Sequence, residues 1–238
     1  MTGGKREIET MNALGDQDQI DDPPRQRAAS ARTAFTLLEL LTVIGIIAVL
    51  VSLLFPAVAA VKESGRKALA GAEVHRIAAA VRDFQTEYGK LPVVPQVPSA
   101  KEGIDVAVGD SCIGMKIPNR ELFYTLRSID RGINSGFAVN YRMVVYFEGK
   151  NVADQEHPRD GFLSEGSSDS ANVDCYFDPW GIQYCIVFDY SYDEKLKVAY
   201  GDETPRGNAG AFSLGPDRSL GASGSGKLKN SDDLASWK

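Results

Sequence analysis

Apolar and polar positions divide this chain into four stretches with different rules. Residues 1–34 are polar and irregular, with Pro23-Pro24, Gly3-Gly4 and an early run of acids such as Glu7, Glu9, Asp16 and Asp18. Such a segment has too little apolar surface to build a core, and it is expected to be disordered. Residues 35–61 are then almost wholly apolar, and from Leu40 to Val61 there is no charge for 22 residues. A helix of roughly 20 apolar residues crosses the hydrocarbon core of a bilayer, so this stretch reads as a membrane span. It exceeds the 7–15 residues of a secretory signal's apolar region, although Ala57, Ala59 and Ala60 mimic a cleavage site.

Beyond the span the pattern turns amphipathic. Val58, Val61, Gly65, Leu69 and Ala72, then Ile77, Val81, Phe84 and Tyr88, recur at steps of three and four. The phase slips between Ala72 and Ile77. Gly89 and Pro92 end the pattern, so a single helix is expected from Phe35 to Tyr88, a rod of about 80 Å. Residues 62–91 form the amphipathic continuation, and one face of it must pack on residues 92–238. There a short helix is expected near Asn119–Ile129, capped by Asn119, with Leu122, Phe123, Leu126 and Ile129 on one side. Strand-like runs follow at Val139–Phe147, Val173–Phe177, Tyr184–Tyr190 and Leu196–Tyr200, separated by polar loops, notably 160–172. An antiparallel sheet laid on the second part of the long helix satisfies both apolar faces. The expected fold is therefore α+β.

Length and charge narrow the picture. The 238 residues suffice for one ordinary domain plus an anchor. A net charge of -6 without a basic patch argues against nucleic acid as a partner. Arg25, Arg27 and Arg32 precede the span while Lys62, Arg66 and Lys67 follow it, a balance that tilts only slightly toward an N-terminus inside. The odd set Cys112, Cys175 and Cys185 leaves two readings, half-buried thiols or a Cys175–Cys185 bridge. No nucleophile elbow, zinc-protease helix, phosphate loop or dinucleotide fingerprint is present, so the chain does not read as an enzyme.

Three local features call for reasons. Glu39 lies in an apolar stretch with no cationic side chain near it in the same helix. Its partner would be an ammonium created by a cut before Phe35, or it simply meets water at the interface. Pro56 removes one helical hydrogen bond, marking either a bend or only the membrane exit. Asp217, Asp232 and Asp233 lie in a glycine-rich tail that ends at Trp237-Lys238, and read as a solvated tail or as oxygen ligands for calcium.

The stretch A-F-T-L-L-E-L-L-T-V-I-G-I-I-A-V-L, residues 34–50, resembles the N-terminus of the type IV pilin and type II secretion pseudopilin family. The resemblance implies a cytoplasmic leader peptide over 1–34, cleaved by a prepilin peptidase between Ala34 and Phe35, with Phe35 then methylated. It makes Glu39 the carboxylate that brings subunits into the fibre in register, and Pro56 the family's helix proline. The family carries glycine where Ala34 stands, and the leader is long for it. In the head, Asp178-Pro179-Trp180-Gly181 followed by Gln183-Tyr184 is similar to a motif of the major pseudopilins. Ser213-Leu214-Gly215-Pro216-Asp217, with Asp232-Asp233-Leu234 and Trp237, resembles their calcium loop, at a longer spacing. The ligands so implied are Asp217, Asp232 and Asp233, with backbone oxygens near Leu214 and Ser219. Residues 93–172 match nothing in the family pattern.

The resemblance implies a pilin-like fold and a structural subunit of a secretion pseudopilus. The helix would polymerise with other copies and with other pseudopilins on an inner-membrane secretion platform. The chain would be single-pass, with its N-terminus cytoplasmic and its head in the periplasm or in the extracellular fibre. A surface type IV pilin and a membrane-tethered binding protein that never polymerises remain the alternatives.

Overall fold

The computed structural model describes residues 35–92, 105–109, 117–197, 205–221 and 231–238. The leader with Ala34, Cys112 and the expected strand residues Val198–Tyr200 lie outside them. The chain divides into two compact units, one ending at Val51 and the other running Ser52–Lys238.

Helix α1, Leu37–Tyr88, spans 52 residues without interruption, close to the expected length. It stops where Gly89 takes a left-handed φ of 68° and donates its N–H to Gln85 O at 2.8 Å. In the first unit every described α1 side chain is exposed. The helix is long and apolar enough to cross a membrane, as the sequence implies.

In the second unit α1 carries a buried seam at Ala70, Val74, Ile77, Val81 and Phe84, spaced four and three residues apart. Full burial of each large member contributes about 1.5–3 kcal/mol. The later part of the expected stripe is therefore correct. The earlier part is not, because Val58, Val61, Leu69 and Ala72 are exposed. The phase slip in the sequence separates a face that is exposed among the described residues from the face that meets the sheet.

That sheet has four antiparallel strands in the order β1-β4-β5-β6. They are β1 (Val106–Val108), β4 (Cys185–Phe188), β5 (Ala209–Ser213) and β6 (Leu234–Ala235). The register pairs Val106 with Phe188, Ile186 with Ala211, and Phe212 with Ala235. A second antiparallel pair joins β2 (Gly161–Phe162) to β3 (Tyr176–Phe177), so the expected 160–172 loop begins with a strand. Ile186, Phe188, Ala209 and Ala211 meet the α1 seam in one core with Leu122 and Phe123 of α2 (Arg120–Leu126). The architecture is a long N-terminal apolar helix packed, over its second part, on small antiparallel sheets.

Two expectations fail for one reason, an asparagine bonding to backbone. Asn119 does not cap α2 through its side chain. Its Nδ2 donates to Tyr176 O and Tyr184 O at 2.9 and 3.0 Å, and its Oδ1 accepts from Tyr176 N at 3.0 Å. Val139–Phe147 is not a strand either. Asn140 Nδ2 donates to Thr125 O and Val144 O at 2.8 and 2.7 Å, while its Oδ1 accepts from Val144 N at 3.1 Å. The side chain takes up backbone groups that a ladder would have used. Of the expected Leu196–Tyr200 strand, the described part forms no named strand: Leu196 N bonds to Pro205 O beside an isolated Lys195–Arg206 bridge, and Lys197 N bonds to the Asp105 side chain.

Candidate functional site

The site residues fall in three places. The first is the start of α1. Phe35 is 80% exposed, and Thr36 stands at the N-cap. Thr36 N and Oγ1 both donate to Glu39 Oε2, at 2.9 and 2.8 Å, and Glu39 N donates to Thr36 Oγ1 at 3.2 Å. This is a reciprocal capping box, which satisfies helix-end donors that have no intrahelical acceptor. Glu39 thus has a partner in its own chain, contrary to the expectation that none lay within the helix. The T-x-x-E spacing was readable in the sequence, but attention to charge alone passed over it. Pro56 sits inside α1, and the helix continues through it.

The second place is the turn between β3 and β4. Asp178 is fully buried. Its Oδ1 accepts from Trp180 N and Ile182 N, each at 2.9 Å, and its Oδ2 accepts from Ser213 Oγ at 2.6 Å. Burial pushes this carboxyl above the usual range, against the pull of the four donors that contact the residue. Gly181 is left-handed at φ 88°, and a β-carbon there would stand 3.0 Å from Pro158 O. Trp180 is almost buried, and its Nε1 donates to Glu63 Oε1 of α1 at 3.0 Å. The Asp-Pro-Trp-Gly turn therefore ties β5 to α1. Glu63 lies in the first charged turn after the apolar run, and nothing local in the sequence marks it as the partner of Trp180. Tyr184 stacks on Tyr176 with ring centroids 5.2 Å apart, and its buried hydroxyl makes no hydrogen bond.

The third place is the acidic C-terminal loop, whose two ends do meet. Ser213 pairs with Leu234 across β5 and β6. Gly215 passes so close that a β-carbon on it would lie 2.6 Å from Asp232 O. Asp233 is 3% exposed, its Oδ2 accepts from Gly221 N at 2.7 Å, and its Oδ1 is buried without a hydrogen bond. Burial raises the pKa of this carboxyl above its ordinary value. Asp217 is exposed and closes its own turn, accepting from Ser219 N at 2.9 Å. Leu214, just past β5, is buried in an apolar cluster with Cys185 and Phe212. Among the described residues, no three Asp, Glu, His or Cys side chains gather into a group that could hold a metal ion. Trp237 docks edge-on against Phe212 at 6.0 Å, and Gly210 leaves the space it fills.

Cys175 and Cys185 are buried rather than half-buried, in different apolar clusters, while Cys112 lies outside the described residues. Cys185 is disulfide-bonded, and the Cys175–Cys185 bridge that the sequence left open is not formed.

No family model matches the chain, and neither the curated proteins nor the solved structures contain a match to it.

Proposed function

We propose that this chain is a structural subunit of a type II secretion pseudopilus, with the pilin-like fold that its N-terminal stretch resembles. The observation that carries the reading is the division of labour along α1. Its first part is apolar and exposed on every side, and its second part is built into a folded head. An apolar helix exposed all round needs lipid or other helices as its solvent. A subunit that waits in the inner membrane and then packs its helix against those of other copies meets both conditions in turn. The function needs no chemistry from the chain itself.

In this reading the prepilin peptidase cuts after Ala34, and the new amino group of Phe35 starts the mature chain. The capping box then matters. It holds the Glu39 carboxylate on the first turn of the helix, beside the place where an ammonium on Phe35 begins. A carboxylate fixed there attracts such a cation on its own chain or on a neighbouring one.

The proposal includes calcium at the C-terminal loop. The residues fit a hard cation in part. Asp233 supplies a buried oxygen with no hydrogen bond, and the Asp232 carbonyl is close to Gly215. An ion there would accept both, with Asp217 and Asp232 as the carboxylates nearest in sequence and backbone oxygens near Leu214 and Ser219 as additional donors.

The deciding experiment is intact-mass and N-terminal peptide analysis of the native membrane fraction. A chain beginning at methylated Phe35 is the expected result. A mature start beyond Ala57 would show an ordinary secretory signal and end the fibre reading.

A further inference from the structure

Two carboxylates are buried together at the edge of the main sheet, away from the places described above. Asp105 immediately precedes β1 and is 4% exposed, and Asp189 immediately follows β4 and is 1% exposed. Between them stands Ser191, whose Oγ lies 3.0 Å from Asp189 Oδ1 and 3.4 Å from Asp105 Oδ1 and also bonds the Asp193 carboxylate. A hydroxyl has one proton to donate. It can satisfy one of these oxygens, and the other must bring a proton of its own or face a lone pair inside the protein.

The surrounding donors decide which carboxyl carries it. Asp189 accepts from Asp193 N at 3.2 Å and Glu194 N at 2.7 Å besides the hydroxyl, three donors in all. Asp105 has one backbone donor, Lys197 N at 2.5 Å on Oδ2. Among the described residues, the charged groups acting on Asp105 include Asp189, Asp193 and Lys197. Asp193 is itself occupied by the Lys197 ammonium at 2.7 Å, so that cation is shared rather than given to Asp105. Burial, and after it the charges of Asp189 and Asp193, hold the Asp105 carboxyl above its ordinary 3.8.

We propose that protonated Asp105 donates to Ser191, which donates to Asp189, and that this chain of two hydrogen bonds is a pH-sensitive latch closing the 189–197 loop onto the start of β1. The loop needs such a fastening, because Tyr192 and Glu194 both hold left-handed backbone, with φ of 55° and 59°. The sign follows from linkage. Asp105 has a folded pKa above its unfolded one, so the stability it contributes is complete below pH 3.8 and is lost as pH rises through the folded value. Above that point two anions face one hydroxyl, and the loop is released.

The test uses the full chain in detergent, melted at steps from about pH 4 to about pH 8, beside Asp105→Asn. The asparagine amide donates to Ser191 at every pH while its oxygen still accepts from Lys197 N. The wild type is expected to lose about 3 °C of melting temperature across the series, and the variant to lose none of that step. In the same samples, exchange of the Glu194 and Lys197 amides, corrected for intrinsic rate, should quicken about tenfold with pH in the wild type only. An equal slope in both proteins overturns the latch, and so do Glu194 and Lys197 amides in the wild type whose exchange is indifferent to pH. A chelator that abolishes the wild-type slope also overturns it, since a bound cation and not a proton would then join the carboxylates.

Discussion

Replacing Asn119 by alanine removes three hydrogen bonds from the centre of the head while changing little volume. The side chain is fully buried, and its partners are Tyr176 N, Tyr176 O and Tyr184 O at 2.9 to 3.0 Å. Tyr176 O keeps one donor after the change, because Tyr184 N reaches it at 3.1 Å. Tyr176 N loses its partner inside the core, and a buried backbone donor left in that state costs about 1–3 kcal/mol. Adding the weakened carbonyls, the whole loss is about 2–4 kcal/mol. A domain of this size shifts by about 2–4 °C per kcal/mol, so the melting temperature should fall by roughly 5–15 °C. Differential scanning of the full chain in detergent measures this directly. Asn119→Asp keeps the acceptor for Tyr176 N but turns an anion toward two carbonyls, and it should fall at least as far. A drop below about 2 °C for Asn119→Ala would refute the idea that this side chain clamps β3 and β4.

Tyr184→Phe goes the other way: its hydroxyl is buried with no hydrogen bond, so the melting temperature should hold or rise, and a fall of more than about 3 °C would reveal a partner. Glu39→Ala should leave the chain in the membrane fraction, since removing a carboxylate eases insertion, while sheared fibre falls at least about tenfold, and normal fibre yield would count against its assembly role. Calcium at millimolar levels should raise the melting temperature of chelator-treated wild type, and Asp233→Asn should abolish the rise; a wild-type melt that ignores calcium would remove the ion from the proposal.

The long helix was legible because its signals are local: an uncharged run, a three-four repeat, and a glycine able to take the left-handed C-cap. The core seam was legible only past the phase slip, since periodicity names a stripe but not what covers it. Hence Leu69 and Ala72 were assigned to a face that is exposed. Strand β5 reads Ala-Gly-Ala-Phe-Ser, a poor strand by propensity. Its small residues make sense only once Trp237 and Leu196 lie over Gly210. Val139–Phe147 misled in the opposite direction, having strand composition but an asparagine that captures its backbone. At the acidic loop, Trp237 docks on Phe212 and over Gly210. The sequence had no means of showing that Asp217 turns outward while Asp233 is buried.

The sheet order has a consequence for how the head comes to exist. Several partners of α1 are late in the chain: Glu63 waits for Trp180, 117 residues on, Glu73 for Tyr176, 103 residues on, and Gln85 for Asn208, 123 residues on. As the chain emerges N-terminus first, the anchor is complete long before the seam from Val74 to Phe84 has anything to rest against. Contacts of such span make for slow folding and a long interval with apolar surface uncovered. β5 joins the core on that seam after α2, β3 and β4, so a chain stopped just before Ala209 would leave part of the seam uncovered. The arrival of residues 209–213 at a helix already in place is thus a late step of the head's assembly, and β6 and Trp237 can pack on the sheet only after it.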